Sequence, residues 1–293
     1  MHLERIEDGN YWRCSFTAMG GPCEILIDSD DENLINAVCN AAYEETQRIE
    51  HKYSRYREDS ELSRINRSHG RPVGVDAETA LLLDYADQCY RLSEGKFDIS
   101  SGVLRRLWRF DGSDRLPDGA AVTAMLRHVG WDKIQWNTPF LIMPPDMELD
   151  FGGIGKEYAV DRCAQLCSQA GDVKVLINYG GDIYISGPRH GDRPWIVGID
   201  NPHADGNYAG ALQLRQGAVA TSGDARRFLL KDGIRYSHIL DPRTGWPVRD
   251  APSSVTVVAQ SCVEAGMLAT FAMLQGAQAE NFLRENQAAY KCI

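Results

Sequence analysis

The segment LDFGGIGKEYAVD at 149–161 constrains the fold of this chain more than any other stretch. An apolar strand that ends in an acid runs through a Gly-Gly turn directly into a helix. Glycines 152, 153 and 155 allow a ligand to approach the backbone closely. Lys156 can supply positive charge, and the first N–H groups of the helix point at any anion bound there. The turn is predicted to hold a phosphate or a metal, although a glycine-rich strand-to-helix turn can also be a plain connection.

Apolar side chains recur along the chain at spacings that predict both helices and strands. Helical periodicity predicts helices at 31–52, 77–92, 118–128, 155–170 and 262–275, the first with an N-cap at Asp30 or Asp31. Apolar or β-branched alternation predicts strands at 23–28, 173–179, 182–186, 195–200, 210–221, 225–231, 234–240 and 253–259. Lys231-Asp232-Gly233 is predicted to be a hairpin turn. Because helices and strands are mixed rather than strictly alternating, we predict an α+β fold with largely antiparallel sheets and no linker within residues 1–293.

Charge and hydropathy argue against two classes of partner. The net charge is −10 and the pI is near 5.2, whereas binding to a phosphate backbone requires clustered Lys and Arg, so nucleic acid is not expected as a partner. No segment approaches the roughly 18–20 continuous apolar residues that span a bilayer, and the N-terminus has no apolar signal core. We therefore expect a cytoplasmic enzyme without a membrane span.

Several further segments combine glycines, hydroxyls and charged side chains between apolar runs, which is typical of loops that carry function on a rigid scaffold. They are TAMGG at 17–21, YSRYREDSELSRIN at 53–66, GKFDISSGVLRRLW at 95–108, NYGGD at 178–182, TSGD at 221–224 and YSHILDPRTG at 236–245. In this order and spacing, together with the 149–161 segment, they resemble the ApbE family, the FAD:protein FMN transferases. The resemblance extends from Phe16 to Gly276.

The resemblance implies a fold and a reaction. The fold is a T-fold-like architecture of two intertwined lobes that enclose a flavin nucleotide. The reaction cleaves the diphosphate of FAD with the help of Mg²⁺, passes FMN to a Thr or Ser hydroxyl of an acceptor protein and releases AMP. The acceptor motif of the family, which resembles DGxTGAT, is absent from this chain. A separate flavin-acceptor protein is therefore implied.

His238 in the YSHILDP segment is the candidate general base, because an imidazole with an ordinary pKa near 6.5 suits proton removal at neutral pH. Asp241 lies three residues later and could orient the imidazole or simply begin the turn that contains Pro242 and Gly245. A lone histidine at a strand end can also be structural. The match to the family segment favours the catalytic interpretation.

The resemblance also implies a set of residues beside the flavin nucleotide: Met19, Tyr56, Phe97, Asp98, Asp150, Lys156, Ser222, Gly223 and Ile239. Their chemistry fits this task, since methionine and aromatic groups can cover a flavin or adenine face and carboxylates can accept hydrogen bonds from ribose or ring N–H groups. Simple core packing is an equally good interpretation for Met19 and Tyr56.

The metal site departs from the family pattern. In that pattern an Asp and a Thr four residues later bind the cation from one face of a C-terminal helix, with a backbone carbonyl from the glycine turn. Here Thr270 and the Gly153 carbonyl remain, but Gly266 stands where the Asp would be. Since Mg²⁺ is held chiefly by anionic oxygens, we predict a weakened Mg²⁺ site, and we expect Gly266→Asp to tighten it.

Other acids could compensate for the lost carboxylate. Asp150, Asp182 and Asp224 are candidates from across the cleft, whereas Glu264 lies on the opposite face of its helix from Gly266. Glu157 replaces a family glycine beside Lys156, and it could crowd or charge the phosphate turn.

Three functions follow from these patterns. The first is an active Mg²⁺-dependent FMN transferase. The second is an enzyme of the same fold with another metal arrangement or substrate, such as an FAD pyrophosphatase. The third is a non-catalytic protein that stores, delivers or senses FAD, and it is supported by Gly266. A transferase should leave flavin on its acceptor and release AMP only with Mg²⁺, whereas a storage protein should hold FAD equally well in EDTA.

Overall fold

The computed structural model describes residues 1–7, 9–204, 206–224 and 227–293. The α-helices in these ranges are α1 Glu32–Tyr53, α2 Glu61–Asn66, α3 Ala77–Leu92, α4 Gly119–Met125, α5 Gly155–Ala170, α6 Cys262–Leu274 and α7 Ala279–Glu285. The strands are β1 His2–Ile6, β2 Tyr11–Ala18, β3 Gly21–Asp28, β4 Val73–Gly74, β5 Gln135–Asn137, β6 Phe140–Ile142, β7 Lys174–Tyr179, β8 Asp182–Ile185, β9 Trp195–Asp200, β10 Tyr208–Leu214, β11 Gly217–Gly223, β12 Phe228–Lys231, β13 Ile234–Ser237, β14 Leu240–Asp241, β15 Trp246–Pro247, β16 Ser254–Ala259 and β17 Ala289–Cys292. Short 3₁₀ helices occur at Ile99–Arg106, Leu126–His128, Trp131–Lys133 and Gly276–Gln278.

One large sheet organises the chain. Its eight strands lie in the order β1-β2-β3-β7-β8-β11-β16-β17, and every neighbouring pair is antiparallel. Smaller sheets pair β9 with β10, β12 with β13, and β14 with β15, and a three-stranded sheet has the order β4-β6-β5. The predicted α+β class with largely antiparallel sheets is confirmed.

The large sheet is buried on both faces at its centre. In β7, Val175 and Ile177 belong to the main core, which also contains apolar side chains of α1, α5 and α6. The intervening Leu176 faces the opposite way and packs with Trp195 and Val197 of β9. Because successive side chains of a strand point to opposite faces, α1, α5 and α6 cover one face of the sheet and the β9–β10 hairpin covers the other.

A smaller core lies beneath the 3₁₀ helix Ile99–Arg106. Trp108 is buried there, stacks on Phe110 at 5.5 Å between ring centroids and meets Trp246 edge-on at 5.2 Å. Leu229 of β12 is fully buried in the same cluster. Packing of these aromatic rings holds the segment around β12 to β15, which carries His238, over the first half of the chain.

Several local predictions are confirmed. Asp31 is the N-cap of α1, and its carboxylate accepts hydrogen bonds from the N–H groups of Asn33 and Leu34. Asp232 and Gly233 form the two-residue turn between β12 and β13, with φ of 52° and 76°. Two left-handed residues match the twist of a hairpin.

Two predicted strands need correction. The strand predicted at 210–221 is two strands in different sheets, because the chain bends at residues 215–216, directly before Gly217, where φ is +106°. The strand predicted at 234–240 stops at Ser237, and the chain pairs again only at β14. Of the strand predicted at 225–231, residues 225 and 226 lie outside the described residues, Arg227 is a bend, and β12 covers Phe228–Lys231.

Membrane-spanning segments were sought among the helices of the described ranges. None of these helices combines the length and the apolar character that crossing a bilayer requires.

The apolar strand predicted before the glycine turn is not a strand in the structure, where residues 147–150 have no regular secondary structure. The 3₁₀ helix contacts Asp150 so closely that Gly102 has no room for a side chain. A Cβ atom at Gly102 would lie 2.5 Å from Asp150 Cβ, and the Asp150 N–H donates to the Ile99 carbonyl at 2.9 Å. We expect Gly102→Ala to lower the free energy of unfolding by about 1–3 kcal/mol, as overpacking usually does. Urea denaturation measures this change.

Gly119→Ala provides the matched control for that measurement. Gly119 begins α4, and no atom lies within 4 Å of a Cβ built there. We expect no loss of stability in this variant, because alanine favours a helix over glycine by about 0.5–1 kcal/mol. Equal stability of Gly102→Ala and wild type would contradict the close packing.

Candidate active site

The glycine turn at 152–155 is tightly packed on one side and open to a ligand on the other. A Cβ atom at Gly153 would lie 2.9 Å from Phe97 Cε2, so the aromatic ring excludes any side chain there. Ile154 occupies the N-cap position of α5 and provides no side-chain acceptor for the first N–H groups of the helix. Within the described ranges these N–H groups lack a side-chain cap, and the Gly155 N–H donates to the Phe151 carbonyl at 2.7 Å, so the N–H groups that follow it in the first turn are the candidates for binding an anion.

Lys156 and Asp182 form an ion pair at the start of α5. The ammonium nitrogen lies 2.6 Å from Asp182 Oδ2, and the Asp182 side chain is 5% exposed whereas that of Lys156 is 38% exposed. Burial raises the pKa of Asp182, and the charge of Lys156 opposes this rise. Burial alone would lower the pKa of Lys156, but the negative charges of Asp182 and Glu157 raise it above its ordinary value. Lys156 therefore presents a permanent positive charge beside the turn.

Glu157 and Gly266 are in direct contact, although they lie far apart in the sequence. A Cβ atom at Gly266 would lie 2.6 Å from Glu157 Cγ and 2.9 Å from its Oε1. Glu157 is only 8% exposed. Its Oε2 atom has no hydrogen-bond partner in the part of the chain that the structure describes. Burial raises the pKa of Glu157, and the negative charge of Asp182 raises it further. The Glu157 carboxylate thus fills the space that a side chain at position 266 would need.

This contact changes the expectation for Gly266→Asp. From sequence, the substitution was predicted to tighten Mg²⁺ binding. In the structure an aspartate at 266 would clash with Glu157 and place a second carboxylate against the first. We therefore do not expect Gly266→Asp by itself to improve the site.

Asp161 fixes the way in which α5 and α6 pack. Its carboxylate accepts hydrogen bonds from the N–H groups of Cys262 at 2.8 Å and Val263 at 2.9 Å, at the start of α6. Glu157 lies one turn before Asp161 on α5, and Gly266 lies one turn after Cys262 on α6. These two residues are in contact. The two helices therefore run antiparallel, and residues four apart on one face of each helix make successive contacts.

Thr270 is the next residue on this face of α6. Its Oγ1 is 3.2 Å from Ser222 Oγ, at the end of β11. The neighbouring Phe271 ring lies 6.0 Å from the ring of Phe97, which packs against Gly153. The structure thus brings the predicted metal residue Thr270 together with the predicted flavin residue Ser222, and the two rings connect Gly153 to the residue after Thr270.

Gly223, next to Ser222, is required by packing. A Cβ atom there would lie 2.7 Å from the Ser253 carbonyl oxygen, because β11 pairs closely with the start of β16. This glycine therefore has a structural reason that is independent of any ligand.

His238 follows β13 in a half-buried position. Its ring meets Phe110 edge-on at 6.3 Å between centroids, and its Nδ1 is buried without a hydrogen-bond partner among the described residues. Burial lowers the pKa of His238, and the positive charges of Arg227 and Lys156 lower it further. The imidazole is therefore neutral at pH 7 and able to accept a proton.

Asp241 does not orient this imidazole. Its carboxylate accepts from the Arg243 side chain at 2.7 and 2.9 Å and from the Arg243 backbone N–H at 2.9 Å. Its carbonyl accepts from the Gly245 N–H at 2.8 Å. The structure favours the second interpretation of Asp241, as the residue that begins the turn.

Asp150 and Tyr56 meet at Arg55, which sequence reasoning missed. The Arg55 guanidinium pairs with the Asp150 carboxylate, lies 4.9 Å above the Tyr56 ring and donates to the Tyr56 hydroxyl at 2.8 Å. Tyr56 is 78% exposed, so core packing is not its role. The Gly152 N–H donates to Asp150 Oδ1 at 2.9 Å, which links this group to the glycine turn. The arginine within YSRY, directly before Tyr56, was the available signal.

Met19 contacts both the core and the glycine turn. Its φ is 54°, and its backbone N–H donates to Glu50 Oε1 at 2.8 Å. The side chain packs half-buried against the main core, with its methyl carbon 3.9 Å from the position of a Cβ at Gly155. Both interpretations of Met19 therefore have support.

Asp98 is engaged by the backbone. One carboxylate oxygen accepts from the Ser100 N–H at 2.7 Å and the other from the Trp131 N–H at 2.9 Å. Burial raises its pKa. The carboxylate thus caps the 3₁₀ helix, which is a structural task. Ile239 lies half-buried next to His238, and its N–H donates to Ser237 Oγ at 3.1 Å.

A separate groove of about 550 Å³ lies between α1, α2 and the start of α3. Its lining is Arg48, His51, Lys52, Asp59, Glu61, Arg64 and Asp76. Lys52 and Asp76 pair across it, and Arg64 pairs with Glu61. Because these charges neutralise one another and none of the predicted site residues lines it, we place the active site at the glycine turn instead.

Comparison with known proteins gives consistent results. The family model described as the ApbE family matches residues 19–293. An FAD:protein FMN transferase of Vibrio cholerae is 33% identical over 78% of this chain and 71% of the relative. A protein of the same description from Klebsiella pneumoniae is 30% identical over 90% and 83% of the two chains.

Solved structures are also similar to this fold. The ApbE protein of Thermotoga maritima superposes with a TM-score of 0.88 at 31% identity, covering 97% of this chain and 94% of that one. The flavin transferase ApbE from Vibrio cholerae superposes with a TM-score of 0.83 at 28% identity, covering 100% and 94%.

Proposed function

The chain belongs to the ApbE family, and we propose that it is an FAD:protein FMN transferase, with residues 1–293 forming one ApbE-like domain. It would move FMN from FAD to a Thr or Ser hydroxyl of a separate acceptor protein and release AMP. The match to this chain spans 71% and 83% of the length of the two relatives that carry this description.

The observation that carries this proposal is the environment of His238. Its Nδ1 is buried without a hydrogen-bond partner among the described residues, and burial keeps the imidazole neutral at pH 7. Lys156 supplies a cation at the N-terminus of α5. Transfer of a phosphoryl group to a hydroxyl needs both, one to take the proton and one to hold the diphosphate.

The reaction can be written with these residues. His238 accepts the proton of the acceptor hydroxyl, whose oxygen forms a bond to the phosphorus on the FMN side of the diphosphate. The bond from that phosphorus to the bridging oxygen breaks, and AMP leaves with that oxygen. Lys156 and the first N–H groups of α5 stabilise the negative charge on the diphosphate. A bound Mg²⁺ would neutralise part of the same charge.

The cluster of Arg55, Tyr56 and Asp150 offers an exposed surface to the flavin. Tyr56 offers a ring face, and Met19 and Phe97 border the glycine turn. Asp150 would have to exchange its contact with Arg55, or share it, to accept from the nucleotide. We therefore propose that Met19, Tyr56, Phe97 and Asp150 contact the flavin nucleotide, as the family resemblance implies.

Incubation with FAD and an acceptor domain that carries the DGxTGAT-like motif tests the proposal. We expect the acceptor to gain the mass of one FMN, with one AMP released, in Mg²⁺ and not in EDTA. Tight FAD binding without adduct or AMP would support the storage or sensing function. Release of AMP and free FMN without adduct would support a pyrophosphatase.

The pH dependence of transfer should report His238. Because burial and nearby positive charge lower its pKa, we expect the acid limb of kcat/KM to lie below the ordinary value of 6.5. The neutral base is then present at pH 7 and is lost as the pH falls through the lowered pKa. Measurement of kcat/KM from about pH 5 to 8, with FAD affinity measured at each pH, checks this. An acid limb above 6.5 would rule out this base.

A further inference from the structure

We propose that Glu157 supplies the carboxylate of a divalent cation site whose other protein ligands are the Thr270 hydroxyl and the Gly153 carbonyl. The cation would be Mg²⁺ or a similar hard ion, shared with the diphosphate of the nucleotide. This inference rests on the proposed function, because the diphosphate completes the site. It assigns the anionic ligand to α5 rather than to α6, where Gly266 has no side chain to offer.

The first argument is the state of the Glu157 carboxylate. It is 8% exposed, and its Oε2 finds no hydrogen-bond donor among the described residues. A buried carboxylate without a partner is costly, and native proteins retain such groups where a proton, cation or ligand completes them. The carboxylate lies beside the turn where a diphosphate is proposed to bind. A cation at this point would satisfy both anions.

The second argument is the space around Gly266. With Glu157 Oε1 2.9 Å from a Cβ built at Gly266, the carboxylate stands where a short acidic side chain on α6 would stand. The contact is set by the anchoring of α6 on Asp161, one helical turn away on each helix. The glutamate at 157 and the glycine at 266 thus form a complementary pair, in which each residue permits the other.

The third argument is the set of neutral oxygens on the same side. Thr270 lies four residues after Gly266 on the same face of α6 and contacts Ser222 through its hydroxyl. Gly153 lies four residues before Glu157, and Phe97 joins its turn to Phe271. The proposed site places the carbonyl of Gly153, from the turn before α5, beside the Thr270 hydroxyl.

The other acids that could serve are already paired. Asp150 pairs with Arg55, Asp182 with Lys156 and Asp224 with Arg235. Of these four acids, Glu157 alone forms no ion pair within the described ranges.

No three His, Cys, Asp or Glu side chains of the described residues form a metal cluster. One carboxylate is nevertheless enough for Mg²⁺, which is usually held by one or two carboxylates together with waters and substrate phosphates.

Binding of Mn²⁺ in the presence of FAD, followed by electron paramagnetic resonance, tests the assignment without relying on activity. We expect Glu157→Gln, which keeps the shape and removes the charge, to weaken Mn²⁺ binding by at least about tenfold. Glu264→Gln is the matched control, because Glu264 is an exposed acid on α6. It should bind Mn²⁺ as the wild type does.

The reciprocal exchange Glu157→Gly with Gly266→Asp provides the sharper test. It moves the carboxylate from α5 to α6 within the same space, so we expect Mn²⁺ affinity within about threefold of wild type. Gly266→Asp alone should lower the melting temperature, because two side chains then compete for one space. Circular dichroism establishes that each variant is folded before its affinity is compared.

Wild-type affinity in folded Glu157→Gln, or no recovery in the folded double variant, would overturn the assignment. So would a wild type that binds no Mn²⁺ with FAD. The outcomes separate this inference from the proposed function. Cation binding that depends on Glu157 without any FMN transfer refutes the function alone, whereas active transfer with unchanged Mn²⁺ affinity in Glu157→Gln refutes the inference alone.

Discussion

His238→Ala should reduce FMN transfer by roughly a hundredfold to ten-thousandfold, the usual contribution of a general base. FAD affinity should stay close to wild type, because the imidazole is proposed to act on the acceptor hydroxyl and not on the nucleotide. The lowered pKa keeps the imidazole neutral at pH 7, and its buried Nδ1 has no hydrogen-bond partner among the described residues, so the ring is available to accept a proton. Transfer is measured by mass spectrometry of the acceptor and FAD binding by fluorescence quenching.

His203→Ala serves as the control, since His203 is exposed in the loop before residue 205. It should transfer FMN at the wild-type rate. Loss of the contact between His238 and Phe110 costs some stability, so both variants are compared well below their melting temperatures. Full activity in His238→Ala would show that another group takes the proton. Equal losses of FAD affinity and transfer would show that His238 binds the nucleotide.

Lys156→Met should lower the free energy of unfolding by about 2–4 kcal/mol in the absence of ligand. The change leaves the Asp182 carboxylate, 5% exposed, without its cation. The expected loss is below that for a wholly buried pair because the Lys156 side chain is 38% exposed and partly solvated. Urea denaturation followed by circular dichroism measures the change.

The pH dependence of this loss of stability tests whether the unpaired Asp182 carboxylate causes it. In Lys156→Met the folded-state pKa of Asp182 lies further above its ordinary value of 3.8, since burial remains and the opposing charge is gone. A carboxyl group whose pKa is raised by folding favours the folded state at low pH, and this contribution to the free energy of unfolding is lost as the pH rises through the raised pKa. The deficit relative to wild type should therefore be small near about pH 4 and grow toward about pH 7.

Two further variants separate this ion pair from a general effect of losing a lysine. Lys174→Met removes the partner of Asp172, a pair whose side chains are 40% and 89% exposed, and should change stability by less than about 1 kcal/mol. Adding Asp182→Asn to Lys156→Met should recover part of the loss, because the buried charge is gone as well. A deficit that is independent of pH and persists in the double variant would contradict the ion-pair explanation.

Local sequence patterns predicted the parts of the fold that local chemistry decides. The Asp31 cap depends on a side-chain acceptor, and the Asp232-Gly233 hairpin depends on left-handed φ values. Both are properties of the residues themselves. The division of 210–221 at Gly217 was missed, because an apolar run on both sides of a turn looks continuous in sequence. The N-terminal strands β1 and β2 were also not predicted, and their pairing with β3 depends on tertiary register.

The candidate site shows the same division. Motifs predicted the segments that contribute to the site and the histidine that acts as base, but not the partner of each side chain. Asp98 and Asp241 accept hydrogen bonds from backbone N–H groups. Arg55 was overlooked, although it directly precedes Tyr56 in the YSRY motif and donates to its hydroxyl. Residue type and spacing report which chemistry is available, whereas hydrogen-bond partners depend on atoms brought in by other elements.

The sequence by itself determined the family, the fold class and the glycine turn at α5, and it predicted that Gly266 replaces a family acid. It presented Glu157 and Gly266 as two unrelated departures, one that charges a turn and one that removes a ligand. Only the tertiary structure decided that they share one space, because their contact depends on the antiparallel packing of α5 on α6 and its anchor at Asp161. Helical periodicity gives the face on which a side chain lies, but the distance between two helices is set by how their side chains pack.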